Sequence, residues 1–278
     1  MNQFNRADEK SRKSDTECPI PTDSVSSKRT ASVPNGPRQL PTDNVSSQRI
    51  ASAPNGHRQF PTDPCILKAV VPLREIEHVL RARLAGTLPG IEAQIRFAPD
   101  LLQKAWRTGQ FPVASRPAAA LLLLYPHGRT AAVALTVRAS SLARHPGQIS
   151  LPGGATDPGE TIAQAALREA SEEIGVDPES VRVLGELTPV HVIVSGFTLH
   201  PVVGITDRRP AFQPAPGEVE EILEVSLEDL RDASRIRQGT RIREGVAVEY
   251  PYFDLLGHQV WGATAMVLGE FICLLSDS

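Results

Sequence analysis

The pattern of apolar and polar residues divides the chain near Ile66. Before that point large apolar residues are scarce, whereas after it they recur in regular runs. Over residues 72–86 the apolar residues recur at helical spacing with charged residues between them, which predicts an amphipathic helix that ends near Gly86. Residues 101–109 are interpreted as another short helix.

Further along the chain, runs of mostly apolar residues predict a set of strands. Residues 117–125 and 130–138 flank a turn at His127-Gly128, so they predict a β-hairpin. The remaining predicted elements are strands at 181–187, 197–205, 218–226 and 245–253, a short helix at 226–234 opened by Ser226, and a largely buried helix at 261–275. Strands interleaved with a few helices predict an α+β fold, with a mixed β-sheet in an α/β/α sandwich.

The segment with the clearest candidate chemistry is a glycine-rich turn followed by an acidic helix. Pro152-Gly153-Gly154 interrupts the preceding strand and lets the backbone approach a ligand closely. Residues 161–174 are rich in Ala, Leu, Glu and Gln, which predicts a helix, and Gly175 stands where a helix C-cap belongs. Its buried stripe is predicted to consist of Ile162, Ala166, Ala170 and Ile174.

Three carboxylates share one face of this predicted helix. Glu169, Glu172 and Glu173 stand at positions i, i+3 and i+4, where like charges repel each other. A hard divalent cation such as Mg²⁺ or Mn²⁺ would remove the conflict, because it prefers carboxylate oxygens as ligands. The alternative interpretation is a solvated acidic face, the usual meaning of a run of glutamates.

The N-terminal part of the chain consists largely of a repeat. Residues 21–40 and 41–60 form a tandem duplication of 20 residues, and residues 61–64 begin a third copy. The unit is rich in Pro, Ser, Asn, Gly and Arg, so it cannot bury enough apolar surface to offset the entropy of ordering. Residues 1–66 are therefore predicted to be a disordered tail, and residues 67–278 the folded domain.

Composition and charge exclude several classes of partner. The net charge of the 278 residues is -3, which does not favour binding to a nucleic-acid backbone. No apolar run approaches the length of a membrane span, and the first residues lack the apolar segment of a secretory signal. The three cysteines are widely spaced, which fits a reducing compartment. A cytoplasmic protein is the expectation.

The stretch from residue 151 to residue 176, LPGGATDPGETIAQAALREASEEIGV, resembles a complete Nudix box. That box is the signature of hydrolases that cut diphosphates linked to another moiety. The positions that fall in register are Gly154, Glu160, Arg168, Glu169, Glu172, Glu173 and Gly175. The resemblance implies the Nudix fold for residues 67–278 and a hydrolase that depends on Mg²⁺ or Mn²⁺.

The same resemblance implies a role for each residue of the box. Glu169 is the first candidate for the general base and Glu218, in a turn further along the chain, is the second. Glu160 is expected to pair with Arg168 and to hold the loop against the helix. Glu172 is expected to bind a second ion or to act through water. The implied metal ligands are Glu169, Glu173, Glu172 and the carbonyl oxygen of Gly154.

The segment before the box, Ala134 to Gly154, resembles the second motif of the coenzyme A diphosphatases within the Nudix family. The positions in register are Leu135, Thr136, Ala139, Leu142, His145, Gly147, Gln148 and residues 152–154. The departures are Ala134 where a second Leu is usual, Ala143 where Arg is usual and Leu151 where Phe is usual. Either Arg144 or Arg138 replaces the missing phosphate clamp, or substrate affinity is weakened.

The implied substrate is coenzyme A (CoA) or an acyl-CoA, cleaved to 3′,5′-ADP and 4′-phosphopantetheine or its acyl form. The implied substrate-binding residues are Arg138, Arg144, His145, Gln148 and Gly153. The alternative interpretation of both arginines is that they are ordinary solvated surface charges. Trp261 is interpreted as a core or interface residue rather than a stacking platform for a base.

Two other functions are weighed against this one. The first is hydrolysis of another nucleotide derivative such as NADH or ADP-ribose. The second is a non-catalytic binding module, which is disfavoured because every carboxylate of the box is present. The expected partner is a small molecule, with no nucleic acid and no membrane, and a homodimer is left open.

Overall fold

The computed structural model describes residues 72–276, except residues 101–102, 104–115, 141–146, 193–194 and 244. The chain divides into two units, residues 1–56 and residues 57–278, and all described residues belong to the second. The predicted tail lies outside the described residues, as does most of the helix predicted at 101–109. Both stay predictions.

The described part begins with the amphipathic helix predicted from its apolar spacing. Helix α1 spans Leu73–Leu84 and buries Ile76 and Leu80, while Arg74, Glu75 and Arg81 are exposed. A short helix α2, Gly90–Gln94, follows and continues into a 3₁₀ turn at Ile95–Phe97. The helix predicted over residues 72–86 is thus confirmed.

The main sheet contains eight strands among the described residues, and it is mixed as predicted. Strand β1 pairs in parallel with β7, whereas every other pair in the sheet is antiparallel. The strands are β1 (Arg116–His127), β2 (Thr130–Arg138), β3 (Ile149–Ser150), β4 (Gly153–Ala155), β5 (Arg182–Glu186), β6 (Val190–Val192), β7 (Phe197–Ile205) and β8 (Val219–Ser226). The later helices are α3 (Ile162–Ile174), α4 (Leu227–Arg231) and α5 (Ala263–Leu275).

Helices cover both faces of this sheet. Along β1, Leu121 and Leu123 point into the core that packs against α3, while Leu122 and Leu124 point into the core that contains α1 and α5. Because both faces of β1 are covered, it appears in the sequence as an unbroken apolar run rather than as an alternating one. The predicted α/β/α sandwich is confirmed.

A second, three-stranded sheet lies near the C-terminus. It consists of β9 (Ile236–Arg243), β10 (Val246–Leu255) and β11 (His258–Trp261), with β10 in the middle. Only β10 was predicted. The helix predicted at 261–275 begins at Ala263, because Trp261 belongs to β11 and Gly262 turns the chain with a φ of 68°.

A buried carboxylate connects separate segments of the chain in the core that contains α1 and α5. Glu270 of α5 is fully buried and accepts hydrogen bonds from the backbone N–H of Gly90, the side chain of Gln94, and the N–H and hydroxyl of Thr188. These four donors compensate the cost of burying the carboxylate. In the part of the chain that the structure describes, no helix is long and apolar enough to cross a membrane.

Candidate active site

The acidic helix α3 is fixed at both ends by local interactions. At its start the Thr161 hydroxyl accepts the N–H of Gln164, and the Gln164 side chain accepts the N–H of Thr161, which together form a capping box. At its end Gly175 adopts a left-handed conformation with φ 70°. Both ends therefore lie where the sequence predicted them.

The loop before β8 docks onto the last turn of α3. The N–H of Gln213 donates to the carbonyl of Ile174 at 3.0 Å, and the N–H of Ala215 donates to the carbonyl of Glu173 at 2.9 Å. These bonds place Glu218, three residues further on, beside the acidic face of the helix. The sequence predicted a role for Glu218 but not the docking of this loop, whose only local signal was its proline and glycine content.

The two glycines of the turn allow side chains to approach the backbone. A Cβ atom at Gly153 would overlap the carbonyl oxygen of Ala119 on β1, and one at Gly154 would lie 2.5 Å from both carboxylate oxygens of Glu169. The N–H of Gly153 donates to the Glu173 carboxylate at 3.1 Å. Glycine at position 153 therefore lets the turn lie directly against β1, and glycine at position 154 lets Glu169 pack against the turn.

Glu173 is a nearly buried carboxylate with like-charged neighbours. Its exposed fraction is only 7%, and burial raises its pKa to about 7. The charges of Glu169 and Glu218 contribute to this increase in the pKa, while the Gly153 N–H and the charge of Arg138 oppose it. Glu173 therefore lies within electrostatic reach of both glutamates and of Arg138.

Burial also raises the pKa of Glu169, and the charges of Glu172 and Glu218 act in the same direction. Hydrogen bonding to Arg168 opposes the increase. The structure thus brings together Glu169, Glu172, Glu173 and Glu218, three of them from α3 and one from the turn before β8.

Arg168 connects the helix to the loop that precedes it. Its guanidinium donates to Glu160 at 2.8 Å and 3.1 Å and to the carbonyl of Ala155 at 3.1 Å. The same pairing holds the pKa of Glu160 below its ordinary value. Glu160 also accepts the N–H of Asp157, so the loop is closed around this ion pair. This geometry supports the positioning role expected for Glu160 and Arg168.

The acidic residues have the donor chemistry of a divalent metal site, although they do not form a finished cage. Within the described residues, no three Asp, Glu, His or Cys side chains converge into a ready metal site. Instead, Arg168 donates to Glu169 at 2.9 Å and to Glu172 at 3.2 Å. Carboxylates that raise one another's pKa beside a glycine turn fit a hard divalent cation, which neutralises the repulsion among them.

The predicted substrate-binding residues are only partly described. Arg144 and His145 lie outside the described residues. The N–H of Arg138 donates to the carbonyl of Gln148, and the N–H of Gly147 donates to the carbonyl of Arg138, both at 3.0 Å. Arg138 stands at a register shift between β2 and β8, and strand irregularities of this kind redirect side chains beside active sites. Among the described residues, Arg138 has no salt-bridge partner.

Comparisons with known proteins identify the family. The family model described as the NUDIX domain matches residues 114–244. The uncharacterized Nudix hydrolase NudL of Pectobacterium atrosepticum is 36% identical over 172 residues, which cover 58% of this chain and 84% of that protein. The protein of the same name from Enterobacter sp. strain 638 is 36% identical over 165 residues, covering 57% and 82%. The chain belongs to the Nudix hydrolase family.

Among solved structures, the Nudix hydrolase RenU of M. smegmatis shares 30% sequence identity with this chain. The match covers 43% of this chain and 75% of RenU, with a TM-score of 0.37. Nudix hydrolases act on pyrophosphate bonds of nucleotide substrates and generally use divalent metal ions. The NudL relatives and the family model identify the protein as a Nudix hydrolase, as the resemblance of the 151–176 segment implied.

Proposed function

We propose that this Nudix hydrolase cleaves the diphosphate of coenzyme A or an acyl-CoA to 3′,5′-ADP and (acyl-)4′-phosphopantetheine. The observation that supports the substrate choice is the pair of backbone hydrogen bonds that holds the two ends of the 138–148 stretch together. One backbone hydrogen bond joins Arg138 to Gln148 there, and a second joins Arg138 to Gly147. Arg138, near the start of the segment, lies within electrostatic reach of Glu173, and Gly154, at its end, lies against Glu169.

In the proposed reaction, water adds to one phosphorus and the bridging P–O bond breaks. Glu169 takes the proton of the attacking water, and Glu218 is the second candidate for this role. Glu169, Glu173, Glu172 and the Gly154 carbonyl would hold Mg²⁺ or Mn²⁺, which when bound offsets diphosphate charge and lowers the pKa of bound water. Glu172 instead acts through water if only one ion binds.

The remaining residues bind the substrate or position the groups that act on it. Arg138 donates to a diphosphate oxygen, because its guanidinium has no carboxylate partner among the described residues and stands close to Glu173. Gly153, in the glycine turn, and Gln148, beside Arg138, are proposed to contact the substrate as well. Arg144 and His145 are proposed to contact the substrate from the 138–148 stretch. The homodimer and the cytoplasmic location stay predictions.

A panel of kcat/KM values tests this proposal. CoA and short acyl-CoAs are expected to exceed dephospho-CoA, NADH, ADP-ribose and dGTP, and Arg138→Ala is expected to lower kcat/KM for every diphosphate. All turnover should cease with EDTA and return with Mg²⁺ or Mn²⁺. If NADH or ADP-ribose is the better substrate, the CoA assignment is wrong while the Nudix chemistry stands. Full activity without metal would contradict the role of the glutamates.

A further inference from the structure

The outer face of the second sheet carries an aromatic and basic cluster that the mechanism does not use. Phe253 and Val260 point from this sheet into the core and are fully buried. The alternate positions of β10 and β11 therefore point outward, and the register sets Tyr252 directly opposite Trp261. Both of these side chains are partly exposed.

The three rings pack against one another, with Tyr250 almost completely buried beneath the partly exposed Tyr252 and Trp261. Tyr250 lies 5.2 Å from Trp261 and 6.1 Å from Tyr252 between ring centroids. Gly239, opposite Tyr250 on β9, leaves space for the tyrosine ring, because a Cβ atom there would lie 2.7 Å from it. The Tyr250 hydroxyl donates to Gln259 at 3.1 Å, which fixes the ring. We call Tyr250, Tyr252 and Trp261 the aromatic face.

One arginine lies on this aromatic face without a carboxylate partner. The guanidinium of Arg241 stacks 4.5 Å from the centroid of Trp261. Among the described residues Arg241 forms no salt bridge, whereas its neighbour Arg237 pairs with Asp254 at 3.2 Å. A stacked guanidinium keeps its N–H donors at the edge of the plane, where they can bind a phosphate in bidentate geometry.

The aromatic face adjoins the elements that build the active site. Strand β11 packs beside β3, and the hydroxyl of Thr264 donates to the carbonyl of Ile149 on β3 at 3.0 Å. The chain reaches Gly153 three residues after Ser150, a distance of about 10 Å for extended backbone. At the other end of β11, His258 approaches Glu221 of β8 at 3.7 Å. The second sheet thus flanks both segments that supply the site.

We infer that the aromatic face and Arg241 form a subsite for an adenosine that carries a second phosphate. The partly exposed rings of Tyr252 and Trp261 would stack the base, and Arg241 would bind the phosphate that is remote from the scissile bond. The inference rests on the proposed function, because CoA carries such a 3′-phosphate and dephospho-CoA does not. It places recognition of that phosphate on Arg241 of β9.

Tryptophan fluorescence tests the subsite without metal or turnover. The chain has two tryptophans, so Trp106→Phe leaves Trp261 as the only emitter. We expect adenosine 3′,5′-bisphosphate to quench this emission, and Arg241→Ala to weaken binding about tenfold, the loss of one charge-assisted contact. Arg129→Ala removes an equal charge from the exposed turn between β1 and β2 and is expected to leave binding unchanged.

Kinetics provide a second measurement. Arg241→Ala should raise KM for CoA with little change in kcat, and should affect dephospho-CoA less. Equal affinity of the Arg241→Ala and Arg129→Ala variants for the bisphosphate would overturn the subsite, even if CoA remains the best substrate. Arg241-dependent binding supports the subsite whichever diphosphate is hydrolysed fastest, so the two proposals fail separately.

Discussion

At the residue scale, the three glutamates of the box differ more than their spacing indicates. Glu172 is 58% exposed and Glu173 is almost completely buried, although both belong to one acidic run. The sequence predicted all three on one face, but burial depends on the glycine turn and on the loop before β8. The pattern of α3 alone could not predict either contact, because both come from distant segments of the chain.

Because Glu173 is buried, its negative charge destabilises the folded protein when no metal is bound. Its pKa of about 7 lies above the ordinary value of 4.5, so the folded state binds the proton more tightly than the unfolded state. The stability that Glu173 contributes is therefore complete below pH 4.5 and is lost as pH rises through 7. Glu173→Gln should raise the melting temperature in EDTA at pH 8 and change it little at pH 5.

The same substitution should lower turnover by orders of magnitude, because a proposed charged ligand is lost. Melting curves at the two pH values and kcat with Mg²⁺ measure the two effects. Glu172→Gln is the matched control for stability, since that carboxylate is exposed and its removal relieves no buried charge. An equal stability change at pH 5 and pH 8 would contradict the assignment of Glu173 as a buried charge.

Gly154 offers a separate test of how closely Glu169 approaches the turn. In Gly154→Ala the new methyl group would lie 2.5 Å from the Glu169 oxygens, so the carboxylate must move. We expect kcat to fall about 100-fold, the effect of a displacement of roughly 1 Å in an active site. Gly86→Ala is the control, because its methyl group would make only ordinary contacts at 3.6 Å. Normal kcat in Gly154→Ala would show that Glu169 does not need this position.

At the scale of elements, the sequence predicted those whose signal is local. The strand at 197–205 and the helix at 161–174 agree with the structure because apolar periodicity, Thr161 and Gly175 define them. Strand β9 was missed because IRQGTRIR is polar and arginine-rich, with little β-propensity of its own. It forms through pairing with β10 and through the Tyr250 ring over Gly239, which are contacts that no local pattern records.

The capping box of α3 gives a prediction at this scale. Thr161→Ala removes the acceptor for the N–H of Gln164 and should lower the free energy of unfolding by about 1 kcal/mol. Thr161→Ser keeps the hydroxyl, so its free energy of unfolding should stay within about 0.3 kcal/mol of that of the parent protein. Urea denaturation measures both variants. Equal stability of the alanine and serine variants would show that the cap contributes nothing.

At the scale of the whole molecule, the predicted tail should be dispensable for the hydrolase. Residues 1–66 contain few large apolar residues, so they are expected to contribute little buried surface. A chain that begins at residue 67 should retain its melting temperature within about 2 °C, which corresponds to less than about 1 kcal/mol for a domain of this size. It should also retain its kcat. A large decrease in the melting temperature would show that the repeats pack on the domain.

Glu270 joins segments of the chain that are synthesised far apart in time. Its carboxylate binds Gly90, 180 positions earlier, and Arg83 donates to the carbonyls of Leu274 and Ser276. The first helices of the domain therefore emerge long before their partners are translated. Until then α1 and α2 lack their final contacts and expose apolar surface, which is when chaperones and proteases act on nascent chains. Helix α5 and the residue after it thus supply contacts to α1 and α2, which are synthesised about 180 residues earlier.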